Sequence, residues 1–105
     1  MPSNPIPTRL KEARKHARLS QRELGIQAGI HESSASPRMN QYEKGRHTPD
    51  IDTLRQIAAV LNVPISYFFY EDKVSAEIVR HLELLSLENK KTLLAQITEK
   101  DNIDS

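Results

Sequence analysis

The chain has 105 residues, with 15 Lys and Arg, 14 Asp and Glu, 37% hydrophobic and 5% aromatic residues. A chain this short buries only about two thirds of its unfolded surface, enough for one modest core, which excludes large multi-domain enzymes and a deep catalytic cleft. With no cysteine, a disulfide framework, a thiolate nucleophile and a Cys-type zinc site are excluded as well.

The formal net charge of +1 divides unevenly along the chain. Residues 1–48 hold nine Lys and Arg against four Glu, a balance of +5, and residues 49–105 hold six against ten, a balance of −4. Such asymmetry points to a basic half that meets a polyanion and an acidic half with another task. Apolar runs fall far short of the roughly 18 to 20 residues that span a bilayer, and the opening MPSNPIPTRL has no apolar leader. The expectation is a soluble, cytoplasmic protein that makes no membrane contact.

In chain order, Pro2, Pro5 and Pro7 predict an extended arm over residues 1–7, because each fixes φ and removes a donor. Thr8 then caps a first helix, about Arg9 to Ala17, with Leu10, Ala13 and Ala17 inward and the basic residues around the other face. Ser20 and Glu23 stand at capping-box spacing, so a second helix opens at Gln21 with Leu24, Gly25 and Ala28 inward and Gly29 as its stop. Pro37 is acceptable only in a first turn, which predicts that the third helix starts no earlier than a cap at Ser34 and runs through Tyr42 to about Lys44. Met39 and Tyr42 face inward, leaving Ser36, Arg38, Asn40 and Gln41 mostly outward.

Asp50 caps a fourth helix, Ile51 to Leu61, whose inward residues are Ile51, Leu54, Ile57, Ala58 and Leu61. A short fifth helix, about Ile65 to Tyr70, carries four of the five aromatics and closes the core. Glu71 and Asp72 mark a boundary. Beyond it, Val74, Ile78, Leu82 and Leu85 recur at helical spacing, and Ser86 can cap a further stretch with Leu87, Leu94 and Ile97. No strand-period alternation occurs, so the expected class is all-α: a five-helix domain over residues 8–72, followed by one or two helices in residues 73–105.

The segments LSQRELGIQAGI, MNQYEKGRHTPD and LRQIAAVLNVPISYFF together resemble the phage Cro and repressor type of helix-turn-helix domain, the XRE family, over about Ile6 to Asp72. The resemblance implies a lambda-repressor-like DNA-binding domain. Its second helix crosses the phosphate backbone, and its third lies in a major groove about 12 Å wide. By position in the family motif Ser36, Pro37 and Gln41 read bases, flanked by Arg38 and Asn40. Gln41 can bind adenine, and Arg38 can pair with guanine or with phosphate. Gln21 and Arg22, at the start of the second helix, and Lys44, Arg46 and His47, in the loop after the third, are the phosphate contacts. Arg14 and Glu43 form a structural pair between the first and third helices.

Two departures from the family pattern stand out. Between Ile30 and Met39 there are about four extra residues, which lengthen either the turn or the third helix at its start, and Gly25 replaces the usual Ala. His16, His31, His47 and His81 lack metal-ligand spacing, and Ser33, Ser34 and Ser36 near His31 read as turn and cap residues, so neither enzyme nor cofactor chemistry is expected. The C-terminal stripe of Ile78, Leu82, Leu85, Leu87, Leu94 and Ile97 needs a cover, by folding back or in a homodimer, and the dimer is favoured because paired domains read two half-sites. Double-stranded DNA is the expected partner and repression by operator occupancy the expected function. The rival is an antitoxin or adaptor that holds a protein on its C-terminal helices.

Overall fold

The computed structural model describes residues 4–104. Its helices run in the order α1 (Ile6–His16), α2 (Gln21–Gln27), α3 (Glu32–Glu43), α4 (Ile51–Leu61), a 3-10 helix (Ile65–Phe69), α5 (Lys73–Glu83) and α6 (Leu87–Asp104). Among the described residues there is no strand, and Pro2 of the expected arm lies outside them.

The first helix starts three residues before the expected Arg9. Pro5 stands at its N-cap and Ile6 and Pro7 are already helical, so the arm ends at Pro5 and Thr8 is not the cap. A proline costs nothing in a first turn, where the backbone donors have no helical partner, and the free Ile6 N–H donates instead to Asn4 Oδ1 at 3.1 Å. The earlier start lines Ile6 up with Arg9, Leu10 and Ala13 as the buried stripe. Arg9 is therefore not one of the outward cations: it is 6% exposed and pairs with Glu12 at 2.8 Å.

The capping box of α2 forms as its spacing predicts, with Ser20 Oγ accepting from Glu23 N–H and Glu23 Oε1 accepting from Ser20 N–H, both at 3.0 Å. These bonds, the Ser20 backbone first, hold the Glu23 carboxyl below the usual carboxylate range. Gly29 ends the helix at φ +92°, a conformation that glycine adopts without steric cost.

The third helix departs most from expectation. It begins at Glu32, two residues before the earliest expected cap, because His31 caps it: Nδ1 accepts from Ser33 N–H at 3.1 Å. Pro37 thus stands inside the helix, where its missing donor leaves the Ser33 carbonyl without a helical partner. The turn is only Ala28–His31, so the extra residues lengthen α3 rather than the turn.

Asp50 caps α4, accepting from Thr53 N–H at 2.8 Å, and Asn62 ends it in the left-handed region at φ 58°. Leu54, Ile57, Ala58 and Leu61 are buried, but Ile51, expected inward, is 54% exposed. The fifth element is a 3-10 turn that stops at Phe69 rather than Tyr70. Tyr67 and Phe68, packed edge to face at 5.6 Å, are buried and close the core, while Phe69 stays exposed.

The C-terminal stretch is two helices. Asp72 caps α5, accepting from Val74 and Ser75 N–H, and Ser86 Oγ accepts from Asn89 N–H at the start of α6. The α5 helix packs on the core through Ala76 and Val79, and Arg80 Nη1 lies 3.1 Å from His16 Nε2 on α1. Folding back covers little else: Ile78, Leu87, Leu94 and Ile97 remain exposed. The radius of gyration, 16.0 Å, exceeds the roughly 13 Å of a compact domain of this size because α6 stands away from the core.

Candidate nucleic-acid interface

Positioning of α3 begins with its inner face. Ala35, Met39 and Tyr42 are buried at spacings of four and three, so one side of the helix is fixed in the core. Its C-terminal end is locked by Glu43. Arg14 Nε and Nη2 donate to the Glu43 carboxylate at 2.5 and 3.0 Å, and Arg14 Nη1 donates to the Leu19 carbonyl at 2.9 Å. Both side chains are largely buried, so the fork ties α1, the turn before α2 and α3 into one body. The expected structural pair is in place.

Gln21 adds a second tie. Its Nε2 donates to Asn40 Oδ1 and Glu43 Oε1, each at 3.3 Å, so the side-chain amide nitrogen is turned toward α3. Arg22, exposed at the start of α2, pairs with Glu32. Two of the expected phosphate contacts therefore hold partners within the protein. The other three do not: Lys44, Arg46 and His47 are exposed, and none makes an ion pair among the described residues. Their loop is set by Gly45 at φ 72° and by the Arg46 N–H donating to the Gln41 carbonyl at 3.0 Å.

Opposite the buried face, helical spacing aligns Ser33, Pro37, Gln41 and Lys44. Pro37 and Lys44 are exposed and Gln41 is half-buried. Arg38 stands beside this row, with Nη2 donating to Tyr42 Oη at 2.7 Å. Ser36 falls in the row of Asn40 and Glu43, which meets Gln21 of α2, rather than in the outward row. Ser33 takes that outward place. Sequence reasoning treats it, with Ser34 and Ser36, as a turn and cap residue; His31, able to cap through Nδ1, is the signal that starts the helix ahead of all three.

The basic half is thus less uniformly free than its count suggests, since Arg9, Arg14 and Arg22 are paired. What remains is an outward row of small and amide side chains on a rigid helix, beside a cationic loop. An exposed polar helix face flanked by cations is an arrangement that suits contact with a polyanion.

Comparison with known proteins agrees with the layout. The helix-turn-helix family model matches residues 10–68, more than half of the chain. The crystal structure of transcriptional regulator BswR is similar at TM-score 0.84 and 44% sequence identity, covering 90% of this chain and 93% of that one. No protein of curated function matches. The buried Arg14–Glu43 lock, the exposed row of α3 and these matches together establish that the chain belongs to the Cro/repressor-type (XRE) helix-turn-helix family of DNA-binding transcription regulators.

Proposed function

We propose that the protein is a sequence-specific double-stranded DNA-binding repressor that occupies an operator as a homodimer, with α3 in the major groove. The observation that carries this reading is the contrast between the two sides of α3: one is locked by Ala35, Met39, Tyr42 and Glu43, and the other presents Pro37, Gln41 and Lys44 to solvent. Pro37, Arg38 and Gln41 supply base contacts, while Ser36 and Asn40, in the row that meets α2, border them, and Gln21, Arg22, Lys44, Arg46 and His47 supply phosphate contacts. Arg22 pairs with Glu32 in the first turn of α3 and exchanges it for phosphate on binding. The protein acts by occupancy rather than catalysis, needs no cofactor, and works in the cytoplasm where its DNA lies.

Comparing Gln41→Ala and Arg46→Ala on the preferred operator and on random duplexes tests the assignment. Gln41→Ala should cost ~1 to 3 kcal/mol on the operator and spare random DNA. Arg46→Ala should weaken both and flatten the salt dependence by about one unit of slope. Equal loss on both DNAs for Gln41→Ala removes its base-reading role.

The homodimer rests on α5 and α6. Val74, Ile78, Leu82, Leu85 and Leu93 line an apolar groove of about 510 Å³ between them, and Leu94 and Ile97 lie exposed on α6. An unburied apolar surface of this kind on a small domain is covered by a partner. The same groove supports a second reading, an antitoxin or adaptor that holds another protein there while keeping the helix-turn-helix.

A further inference from the structure

Arg38 is the one arginine of α3, and it is held at two points by a single neighbour. Its Nη2 donates to Tyr42 Oη at 2.7 Å, and its Cζ lies 5.8 Å from the centre of the Tyr42 ring. That ring is 6% exposed and belongs to the core, so the anchor does not move. An exposed arginine ordinarily samples many rotamers and gives up that freedom on binding. Here the freedom is given up in the free protein, and binding costs correspondingly less.

Among the described residues the guanidinium has no other hydrogen bond. One of its five N–H groups is spent on Tyr42, and two of the remaining four suffice for the O6 and N7 acceptors of guanine. The surroundings separate guanine from phosphate. Pro37, Arg38, Gln41, Tyr42, His47, Thr48 and Asp50 line a recess of about 440 Å³ between α3 and the loop before α4, with His47, a phosphate contact in the proposed reading, on its loop side and Asp50 beside the Arg38 end. The Asp50 carboxylate shares that recess with the Arg38 guanidinium without an ion pair between them, and places a negative charge beside the fork. A phosphate entering it meets repulsion as well as attraction, whereas a neutral base edge keeps the full benefit of the fork.

We propose that Tyr42 is a positioning residue that holds Arg38 ready for bidentate recognition of a guanine, so that Arg38 sets one G·C pair in each half-site. The proposal rests on the reading of α3 as the base-reading helix. It gives Tyr42 a second role beside its place in the core, and it decides between the two DNA contacts open to Arg38.

The test uses the full chain, a library of random-sequence duplexes, and the variants Tyr42→Phe, Arg38→Ala and Arg38→Lys. Wild-type protein should enrich a site containing a G·C pair that Arg38→Ala no longer selects. Affinity of Arg38→Ala for the wild-type site should fall about ten-fold or more. Arg38→Lys should not restore it, because an ammonium cannot form the fork. Tyr42→Phe, which deletes only the hydroxyl, should lower discrimination at that same base pair by about three- to ten-fold. Its affinity for random duplexes, its salt slope and its thermal midpoint should match those of the wild type.

Arg38→Ala weakening all duplexes alike, with the salt slope reduced by about one, would make Arg38 a phosphate contact and overturn the proposal. Full wild-type discrimination by Tyr42→Phe would overturn the positioning role. Failure of the wild type to enrich any sequence would instead overturn base reading by α3 as a whole, an outcome distinct from these two.

Discussion

A methyl group on Gly25 of α2 would lie 2.8 Å from the Cβ of Ala35 on α3 and 3.0 Å from the Ala35 carbonyl oxygen. Ala35 is fully buried and belongs to the part of α3 that the extra residues lengthen. The two departures from the family pattern are therefore one feature: the longer α3 brings its backbone onto α2 at the position where the usual alanine has become glycine. Helix propensity alone favours Gly25→Ala by about 1 kcal/mol. The contact overrides it, and we expect Gly25→Ala to lower stability by about 1 to 3 kcal/mol in urea. Adding Ala35→Gly should recover part of the loss. A more stable Gly25→Ala single variant would contradict the close approach.

Pro37 stands inside α3 and faces outward, where nothing in the core depends on its ring. Proline is about 3 kcal/mol less favourable than alanine in a helix interior, because it lacks the N–H and its ring crowds the carbonyl four residues back. Pro37→Ala should therefore raise stability by about 1 to 3 kcal/mol while changing which duplexes bind best. A lower urea midpoint would show that the proline supports the helix.

Glu43 joins Arg14 and Gln21, so removing it strands a largely buried guanidinium. Glu43→Ala is expected to cost about 3 to 5 kcal/mol, the range for breaking one side of a buried pair. Where the variant still folds, affinity should fall on all duplexes without a change in the preferred sequence. A changed preference with intact stability would move Glu43 from scaffold to reader.

The caps make stability sensitive to acid. Hydrogen bonds from Thr53, with a contribution from the Arg38 charge, hold the Asp50 carboxyl below the usual range, and those from Ser75 do the same for Asp72. A carboxyl depressed in the folded state contributes stability above its unfolded pKa and loses it as pH falls through the folded value. Unfolding should therefore become easier as pH falls below about 4. Asp50→Asn, which keeps the acceptor but does not titrate, should flatten that acid limb. Identical acid limbs for variant and wild type would remove Asp50 from the account.

Leu94 and Ile97 are exposed on α6, and the α5 residues that pack on the core, Ala76 and Val79, lie outside it. If the proposed homodimer forms through α6, Leu94→Glu with Ile97→Glu should give a monomer without unfolding the domain, and operator affinity should fall with it. Sedimentation as an unchanged dimer would place the contact elsewhere.

Local chemistry was the most legible part of the sequence. Ser20 with Glu23, and Asp50 with Thr53, satisfy donors within three residues, so spacing alone identifies them. The Arg14–Glu43 pair came from the family resemblance, since 29 residues separate its members. What stayed hidden depended on packing. Arg9 looked like a surface cation until the earlier start of α1 put it in the buried stripe. His31 is not a usual cap, and Pro37 argued against the helix start that His31 makes. Periodicity turned the Tyr42 ring inward but could not show that its hydroxyl emerges beside Arg38.

The account stands most directly on selecting bound fragments from random duplex DNA with the full chain and reading the symmetry of the winners. The prediction is a two-fold symmetric site, with half-sites about one helical turn apart and specified base pairs in the major groove facing α3. Enrichment of no sequence, or of a single half-site without symmetry, would contradict it.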